Sequence, residues 1–130
     1  MDPELVVRAA LPSDLNFIRR TWLSGLRGCS NGLPDAQWWP AHRAYVEACL
    51  GSAAHKIFIA GASDDPHEIL GYAIAGEGVL EWAYVRRGLR GRGLAKLLLG
   101  AADFSRERPP STRWRTQDSR SLRVLYQPRR

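Results

Sequence analysis

The sequence predicts one α/β (α+β) domain, and three observations support this. Segments of β-prone residues alternate with segments of helical periodicity, one turn is dense in glycine and arginine, and 45% of the 130 residues are hydrophobic. This length and composition suit a single shared core. No apolar run approaches the roughly 18 residues of a membrane span. We therefore expect one cytoplasmic domain over residues 1–130 with no membrane segment.

The first half of the chain predicts a strand, two helices and a hairpin. Residues 5–10 are β-prone, and residues 13–28 carry apolar side chains three and four positions apart, as an amphipathic helix does. Residues 38–49 repeat that spacing, so a second helix should end near residue 51. Residues 55–61 and 69–75 are β-prone and are joined by a polar turn, which predicts a hairpin.

The second half predicts a strand at residues 79–85, the fourth along the chain, followed by a cluster of arginine and glycine. Beyond it, the apolar residues of segment 94–102 have the spacing of a helix with one face packed on a sheet. Prolines at positions 109 and 110 end this element. Residues 111–117 are a further candidate strand, and residues 119–130 suit either a short helix or a strand.

Charge is distributed unevenly along the chain. The net charge is +6, yet residues 1–85 carry six basic and ten acidic side chains, whereas residues 86–130 carry thirteen basic and three acidic ones. The C-terminal third is therefore predicted to attract anions. Nearly all basic residues are arginine, which favours forked contacts to phosphate or carboxylate, although a genome rich in G and C would produce the same bias.

The cysteines and histidines show no disulfide or metal-ligand pattern. Cys29 and Cys49 lie far apart in the sequence, with no second Cys or His at ligand spacing. His42, His55 and His67 share no spacing typical of a metal site or of a base paired with a nucleophile. We therefore expect two ordinary thiols and no metal.

The strongest functional signal is segment 82–95, which passes from a strand through the glycine- and arginine-rich turn into a helix. A helix N-terminus presents unpaired N–H groups and the positive end of the helix dipole, so it binds phosphate when the backbone is accessible. Gly91, Gly93 and the small Ala95 allow that approach. A turn that merely starts a helix is the alternative, but the flanking strand and arginines favour a phosphate site.

Arg90, Gly93 and Ala95 also match the pattern Arg/Gln-x-x-Gly-x-Gly/Ala, the pyrophosphate loop of the GCN5-related N-acetyltransferases (GNAT). The chain resembles this superfamily over residues 5–105. More weakly, the order of its aromatic motifs and the short C-terminus resemble GNAT-type proteins encoded by tailed bacteriophages, for which the location would be the host cytoplasm.

The resemblance implies a fold and a cofactor. The fold is a mixed, twisted central sheet of about five or six strands flanked by about three or four helices, here with a shortened C-terminus. The cofactor is acetyl-CoA, without a metal. Its pantetheine arm would bind the backbone of the fourth strand, and its pyrophosphate would bind the N–H groups of the turn. The implied cofactor-binding residues are Ala83, Tyr84, Val85, Arg90, Gly91, Arg92, Gly93, Leu94 and Ala95.

The resemblance further implies two catalytic residues. Glu81 is the only acid inside the predicted fourth strand, and strand periodicity places it on the face of Ala83 and Val85, where it would take the proton of the amine. A solvated acid at the strand is the alternative. Tyr126 would protonate the departing thiolate, since residues 119–126 loosely match the family's Asn-x-x-Ala-x-x-x-Tyr helix; alternatively Tyr126 lies in a strand and is a core or lid residue.

Three functions follow from these observations. The first is acetyl-CoA-dependent N-acetylation of an unknown amine on a small molecule or a protein. The second is modification or binding of nucleic acid or an acidic partner, because arginines alternate with aromatic residues in the C-terminal third. The third is a non-catalytic binding protein of the same fold. A monomer and a homodimer are both compatible with the sequence.

Overall fold

The computed structural model describes residues 4–29, 33–65, 67–89, 91, 93–104, 111–112 and 127–128. Short 3-10 helices lie at Pro12–Asp14 and Arg87–Leu89. Within the described residues, no helix combines the length and the hydrophobicity needed to cross a bilayer. The helices and strands are β1 (Leu5–Ala9), α1 (Leu15–Cys29), α2 (Asp35–Leu50), β2 (Lys56–Ala62), β3 (Gly71–Gly76), β4 (Val79–Val85), α3 (Leu94–Ala101), β5 (Ser111–Thr112) and β6 (Gln127–Pro128).

The strands form one mixed sheet in the order β1-β2-β3-β4-β5-β6. Strands β1 to β4 pair with one another in antiparallel fashion. Beyond them, β5 runs parallel to β4, and β6 runs parallel to β5. This mixed sheet, together with three α-helices, confirms the predicted fold class. Of residues 119–130, the described pair Gln127–Pro128 forms a strand.

A bulge interrupts the pairing of β3 with β4. Ile74 pairs with Trp82 and Ala75 pairs with Leu80, so Glu81 is an extra residue in β4. A bulge redirects the side chain of the inserted residue and breaks the simple alternation of strand faces. This distortion determines where the carboxylate of Glu81 lies.

The two faces of the sheet carry separate hydrophobic clusters. The helices α1 and α2 cover one face, where buried Trp22 and Val46 pack with Ile74. On the other face, Leu94 and Leu98 of α3 are buried against residues of the sheet. The helix predicted over residues 94–102 therefore packs one apolar face on the sheet, as its residue spacing indicated.

Asp14 connects the end of β1 to the start of α1. Its carboxylate accepts hydrogen bonds from Nη1 and Nη2 of Arg8 at 2.7 and 3.1 Å, and from the backbone N–H of Leu11 at 2.7 Å. The hydrogen bonds from Arg8 lower the pKa of Asp14, and the bond from Leu11 acts in the same direction, while burial opposes them. The ionised carboxylate thus stabilises the junction between these two elements.

Candidate active site

The turn that follows β4 contains two glycines in a backbone conformation that other residues rarely adopt. Gly91 and Gly93 have φ angles of +83° and +82°, in the left-handed region that favours glycine. A Cβ added at either position would meet no described atom within 4 Å. The backbone of this turn therefore has open space beside it.

The helix α3 begins directly after this turn, with Gly93 as its N-cap. The N–H of Leu97 donates to the carbonyl of Gly93 at 3.1 Å, which closes the first helical turn. The N–H groups of Leu94, Ala95 and Lys96 precede this bond, so they have no acceptor within the helix. Together with the helix dipole, these donors form a suitable site for an anion.

The last residues of β4 present backbone groups away from β3. The N–H of Arg86 donates to the carbonyl of Leu70 at 2.8 Å, and alternate residues of an antiparallel strand bond the same neighbour. Tyr84 therefore directs its backbone groups toward β3, while Ala83 and Val85 direct theirs to the opposite side. In the described part of the chain, β5 pairs with β4 at Val79 and Leu80 alone.

The expectation that Glu81 shares a face of β4 with Ala83 and Val85 is wrong. The bulge places its side chain with Tyr45 of α2 and His55, on the side of the sheet covered by α1 and α2. Ala83 and Val85 pack on the opposite side, against the cluster that contains α3. Strand periodicity failed here because the inserted residue shifts the alternation by one position.

Glu81 is buried and hydrogen-bonded at both carboxylate oxygens. The hydroxyl of Tyr45 donates to Oε2, and Nε2 of His55 lies 3.4 Å from Oε1. The ring of Tyr45 packs edge-on against Trp22, with centroids 6.1 Å apart. The alternative that Glu81 is a solvated strand acid is therefore wrong, because its carboxylate is held in a polar cluster inside the protein.

Sequence reasoning missed the partners of Glu81. Tyr45 and His55 contact Glu81, and Sγ of Cys49 lies within 4.8 Å of it; these residues come from α2 and from the segment before β2, and their positions match no motif. The helical spacing of Tyr45 and Cys49 was visible and places both on one side of α2, but it was attributed to packing alone. Only the folded arrangement brings these side chains to Glu81.

Other predicted site residues fall outside the described part of the chain. Arg90 and Arg92 of the turn and Tyr126 of the C-terminal segment belong to this group. Their assignments as phosphate-contacting residues and as the catalytic acid remain predictions from the sequence.

A cavity of about 440 Å³ lies away from these groups, between the C-terminal end of α3 and the sheet. Its lining includes Lys56, Phe58, Gly76, Ala101 and Phe104, but neither the glycine turn nor Glu81. The candidate active site is therefore defined by the glycine turn and by the polar groups around Glu81, and this cavity is separate from it.

The arrangement of the sheet and helices is shared with solved acetyltransferase structures. A candidate acetyl transferase from Pyrococcus furiosus is 17% identical, with a TM-score of 0.63 over 77% of this chain and 72% of its own. A ribosomal-protein-alanine N-acetyltransferase from Brucella melitensis biovar Abortus 2308 is 18% identical, with a TM-score of 0.59 over 97% of this chain and 93% of its own.

The aminoglycoside N-acetyltransferase AAC(6')-Iy in complex with CoA is 24% identical, with a TM-score of 0.50 over 79% of this chain and 69% of its own. No protein-family model matches the sequence, and neither does any curated protein. The structural likeness establishes that this chain has the fold of the GCN5-related N-acetyltransferases.

Proposed function

We propose that this protein is an N-acetyltransferase that uses acetyl-CoA to acetylate an amine. The observation that carries this proposal is the turn at Gly91 and Gly93, which leaves open space beside the first N–H groups of α3. That turn follows a strand whose end directs backbone groups away from the rest of the sheet. The fold is shared with N-acetyltransferases, and one of these structures contains CoA.

The cofactor would lie along the end of β4 and over the start of α3. Ala83 directs its backbone groups away from β3, as strand-like hydrogen bonding to the amides of pantetheine requires. The pyrophosphate would accept hydrogen bonds from the backbone of residues 93–96. Arg90 and Arg92 would add charge-assisted contacts. Arg86 already forms an ion pair with Glu68, so its guanidinium is shared with that carboxylate.

The chemistry requires one base, one acid and an aligned thioester. The acceptor amine would react in its neutral form, and Glu81 would take the proton that the nitrogen loses as the C–N bond forms, through a water molecule where its burial prevents direct contact. The nitrogen would attack the thioester carbonyl, a C–N bond would form, and the C–S bond would break. Tyr126 would return a proton to the thiolate of CoA. No covalent intermediate on the protein is needed.

The acceptor class is an amine of a small molecule or a protein. The fold neighbours include a ribosomal-protein-alanine N-acetyltransferase and an aminoglycoside N-acetyltransferase, so the same fold serves both classes. In this chain, the aromatic side chains of Tyr84 and Phe17 lie 5.8 Å apart on the side of the sheet that carries Glu81. An acceptor that reaches Glu81 from this side would pass apolar rings before it reaches the base.

The experiment that tests this proposal follows an isotopic acetyl group. The purified chain is incubated with acetyl-CoA labelled in the acetyl carbon and with a panel of polyamines, aminoglycosides and peptides. Mass spectrometry then detects labelled products, and thiol release measures turnover. We expect a labelled amine whose formation depends on the protein and decreases in Glu81→Gln. The same incubation is repeated with a cell extract as the source of acceptors. If adding the protein does not raise acetyl-CoA consumption with any member of the panel or with the extract, the proposal is contradicted.

A further inference from the structure

Three side chains with metal-ligating atoms converge at the bulge of β4. Sγ of Cys49, a ring nitrogen of His55 and a carboxylate oxygen of Glu81 all lie within 4.8 Å of one another. These residues come from the last turn of α2, the position before β2 and the bulge itself. We propose that this cluster, called here the Cys49 cluster, binds one thiophilic divalent cation such as Zn²⁺.

The ligand types and the burial suit such an ion. One thiolate, one imidazole and one carboxylate are the ligands that Zn²⁺ prefers. The exposed fractions of Cys49 and Glu81 are 6% and 5%, so an ion between them would be largely shielded from water. The negative charges of the thiolate and carboxylate balance the two positive charges of the ion, which avoids a net buried charge. The 20% exposure of the His55 side chain provides a route of entry.

The distances are close to those of a tetrahedral site. Nε2 of His55 lies 3.4 Å from Oε1 of Glu81. Two ligand atoms bound at about 2.0–2.1 Å to a tetrahedral ion stand about 3.3–3.4 Å apart. The sulfur of Cys49 is within 4.8 Å of both other ligands and would need to approach by at most about 1.3 Å. A side-chain rotation can provide that movement.

Hydrogen bonding in the structure leaves the imidazole of His55 incompletely satisfied. Its Nδ1 is buried and has no hydrogen-bond partner among the described residues. Its contact with Glu81 through Nε2 is long for a hydrogen bond. Coordination of the ion by Nε2 would replace this long contact with a metal–ligand bond, while the second ring nitrogen, Nδ1, stays as it is.

Tyr45 would orient the carboxylate from outside the coordination sphere. Its hydroxyl donates to Oε2 of Glu81, which leaves Oε1 as the oxygen that faces His55. Partners of this kind fix the orientation of metal ligands and strengthen binding. Three protein ligands leave a fourth position for water. Binding releases the thiol proton of Cys49 to solvent and uses one lone pair of the neutral imidazole, so the step requires no oxidant or reductant.

The consequence of metal binding rests on the proposed function. An ion bound to Oε1 would withdraw the carboxylate of Glu81 from its role as base. Zn²⁺ would therefore inhibit acetyl transfer, and a chelator would restore it. This proposal revises the sequence-based expectation of no metal, which relied on spacing alone.

Cobalt provides the most direct test, because a thiolate bound to Co²⁺ gives a near-ultraviolet charge-transfer band and a tetrahedral ion gives intense visible bands. The purified full chain, stripped with a chelator, is titrated with Co²⁺ and then with Zn²⁺. We expect one Co²⁺ per chain, a thiolate band, and loss of that band when Zn²⁺ replaces cobalt. Absence of the band at millimolar Co²⁺ would overturn the proposal.

Variants identify the ligands. Cys49→Ser and His55→Gln should lose the band or weaken Co²⁺ binding by 10-fold or more. Cys29→Ser, which changes the other cysteine of the chain, and His67→Gln, at an exposed position, should keep it. Because Cys49 is buried, circular dichroism first confirms that its variant is folded; His55→Gln is the second test at a more exposed position. A band that persists in both ligand variants would overturn the assignment.

The outcome separates this proposal from the proposed function. A chain that binds Co²⁺ through Cys49 but transfers no acetyl group would keep the metal site and contradict the function. A chain that transfers acetyl groups but shows no thiolate band would support the proposed function and contradict the metal site. Activity that is unchanged by stoichiometric Zn²⁺ in a chain that binds it would overturn the inhibitory role.

Discussion

Tyr45 of α2 donates a hydrogen bond from its hydroxyl to Oε2 of Glu81 in the bulge of β4. This bond connects a helix to the strand that carries the proposed base, over a separation of 36 residues in sequence. It orients the carboxylate while the other oxygen faces His55. The position of the proposed base therefore depends on α2 as well as on the strand.

Glu81→Gln should reduce acetyl transfer about 100-fold or more, because an amide cannot take the proton of the amine and general base catalysis contributes about that factor. The variant is nearly the same size, so acyl-CoA binding should be unchanged. Turnover is measured by thiol release and binding by calorimetry. If the turnover of the folded variant equals that of the parent, Glu81 is not the base.

Tyr45→Phe should lower turnover by about 10-fold and should also lower the melting temperature by several degrees, because the lost hydrogen bond contributes to stability. The substitution removes a hydrogen bond to a charged group, worth about 1.5–3 kcal/mol, but keeps the ring that packs against Trp22. In the background of Glu81→Gln, the same substitution should have little further effect. Equal losses of turnover in both backgrounds would show that Tyr45 does not act through Glu81.

Gly25→Ala should destabilise the protein, whereas Gly28→Ala in the same helix should not. A Cβ at Gly25 would overlap the indole of Trp82, while a Cβ at Gly28 would meet no described atom within 4 Å. The exposed change removes a helix-destabilising glycine, worth about 0.5–1 kcal/mol. The change at Gly25 should cost about 1–3 kcal/mol through overpacking against Trp82. Urea unfolding of the two variants measures the contrast, and equal stabilities would contradict this packing.

Asp14→Asn should lower the free energy of unfolding by about 2 kcal/mol at neutral pH, since it removes hydrogen bonds between charged groups. The folded-state pKa of Asp14 is lowered, so its contribution is fully present above its unfolded pKa of about 3.9. That contribution is lost as the pH falls through the folded-state pKa.

The difference in stability between the parent and Asp14→Asn should therefore be constant from about pH 5 to pH 7 and shrink below about pH 4. Urea unfolding at each pH measures this difference. A difference that grows on acidification would mean that the ionised carboxylate does not stabilise the fold.

Ala95→Glu should weaken CoA binding about 10-fold or more while the helix remains intact. A carboxylate in the first turn of α3 repels the pyrophosphate but interacts favourably with the helix dipole. Gly100→Glu is the matched control, because it adds the same charge at an exposed position near the other end of the helix. A β-branched residue at Gly93 would be a poorer test, since its φ of +82° is unfavourable for such side chains. Equal affinities of the two variants would place the phosphate elsewhere.

The sequence predicted most elements because their signals are local. The bounds of β4 agree with the prediction, and the start of α3 at Leu94 follows from the glycine turn and the spacing of its leucines. The bulge at Glu81 has no such signal, since Val79–Val85 contains neither glycine nor proline and the insertion is visible only opposite Ile74 and Ala75. The cluster around Glu81 was hidden for a similar reason, because its members come from separate elements.

The most direct test of the central claim is the thermal unfolding of the full chain with and without CoA. A ligand at about 100 times its dissociation constant adds about 2.7 kcal/mol of stability, so the melting temperature should rise by several degrees in a domain of this size. The increase should persist in Gly100→Glu and be much smaller in Ala95→Glu at the same CoA concentration. An unchanged melting temperature of the parent chain at millimolar CoA would contradict the claim that this fold binds the cofactor at the start of α3.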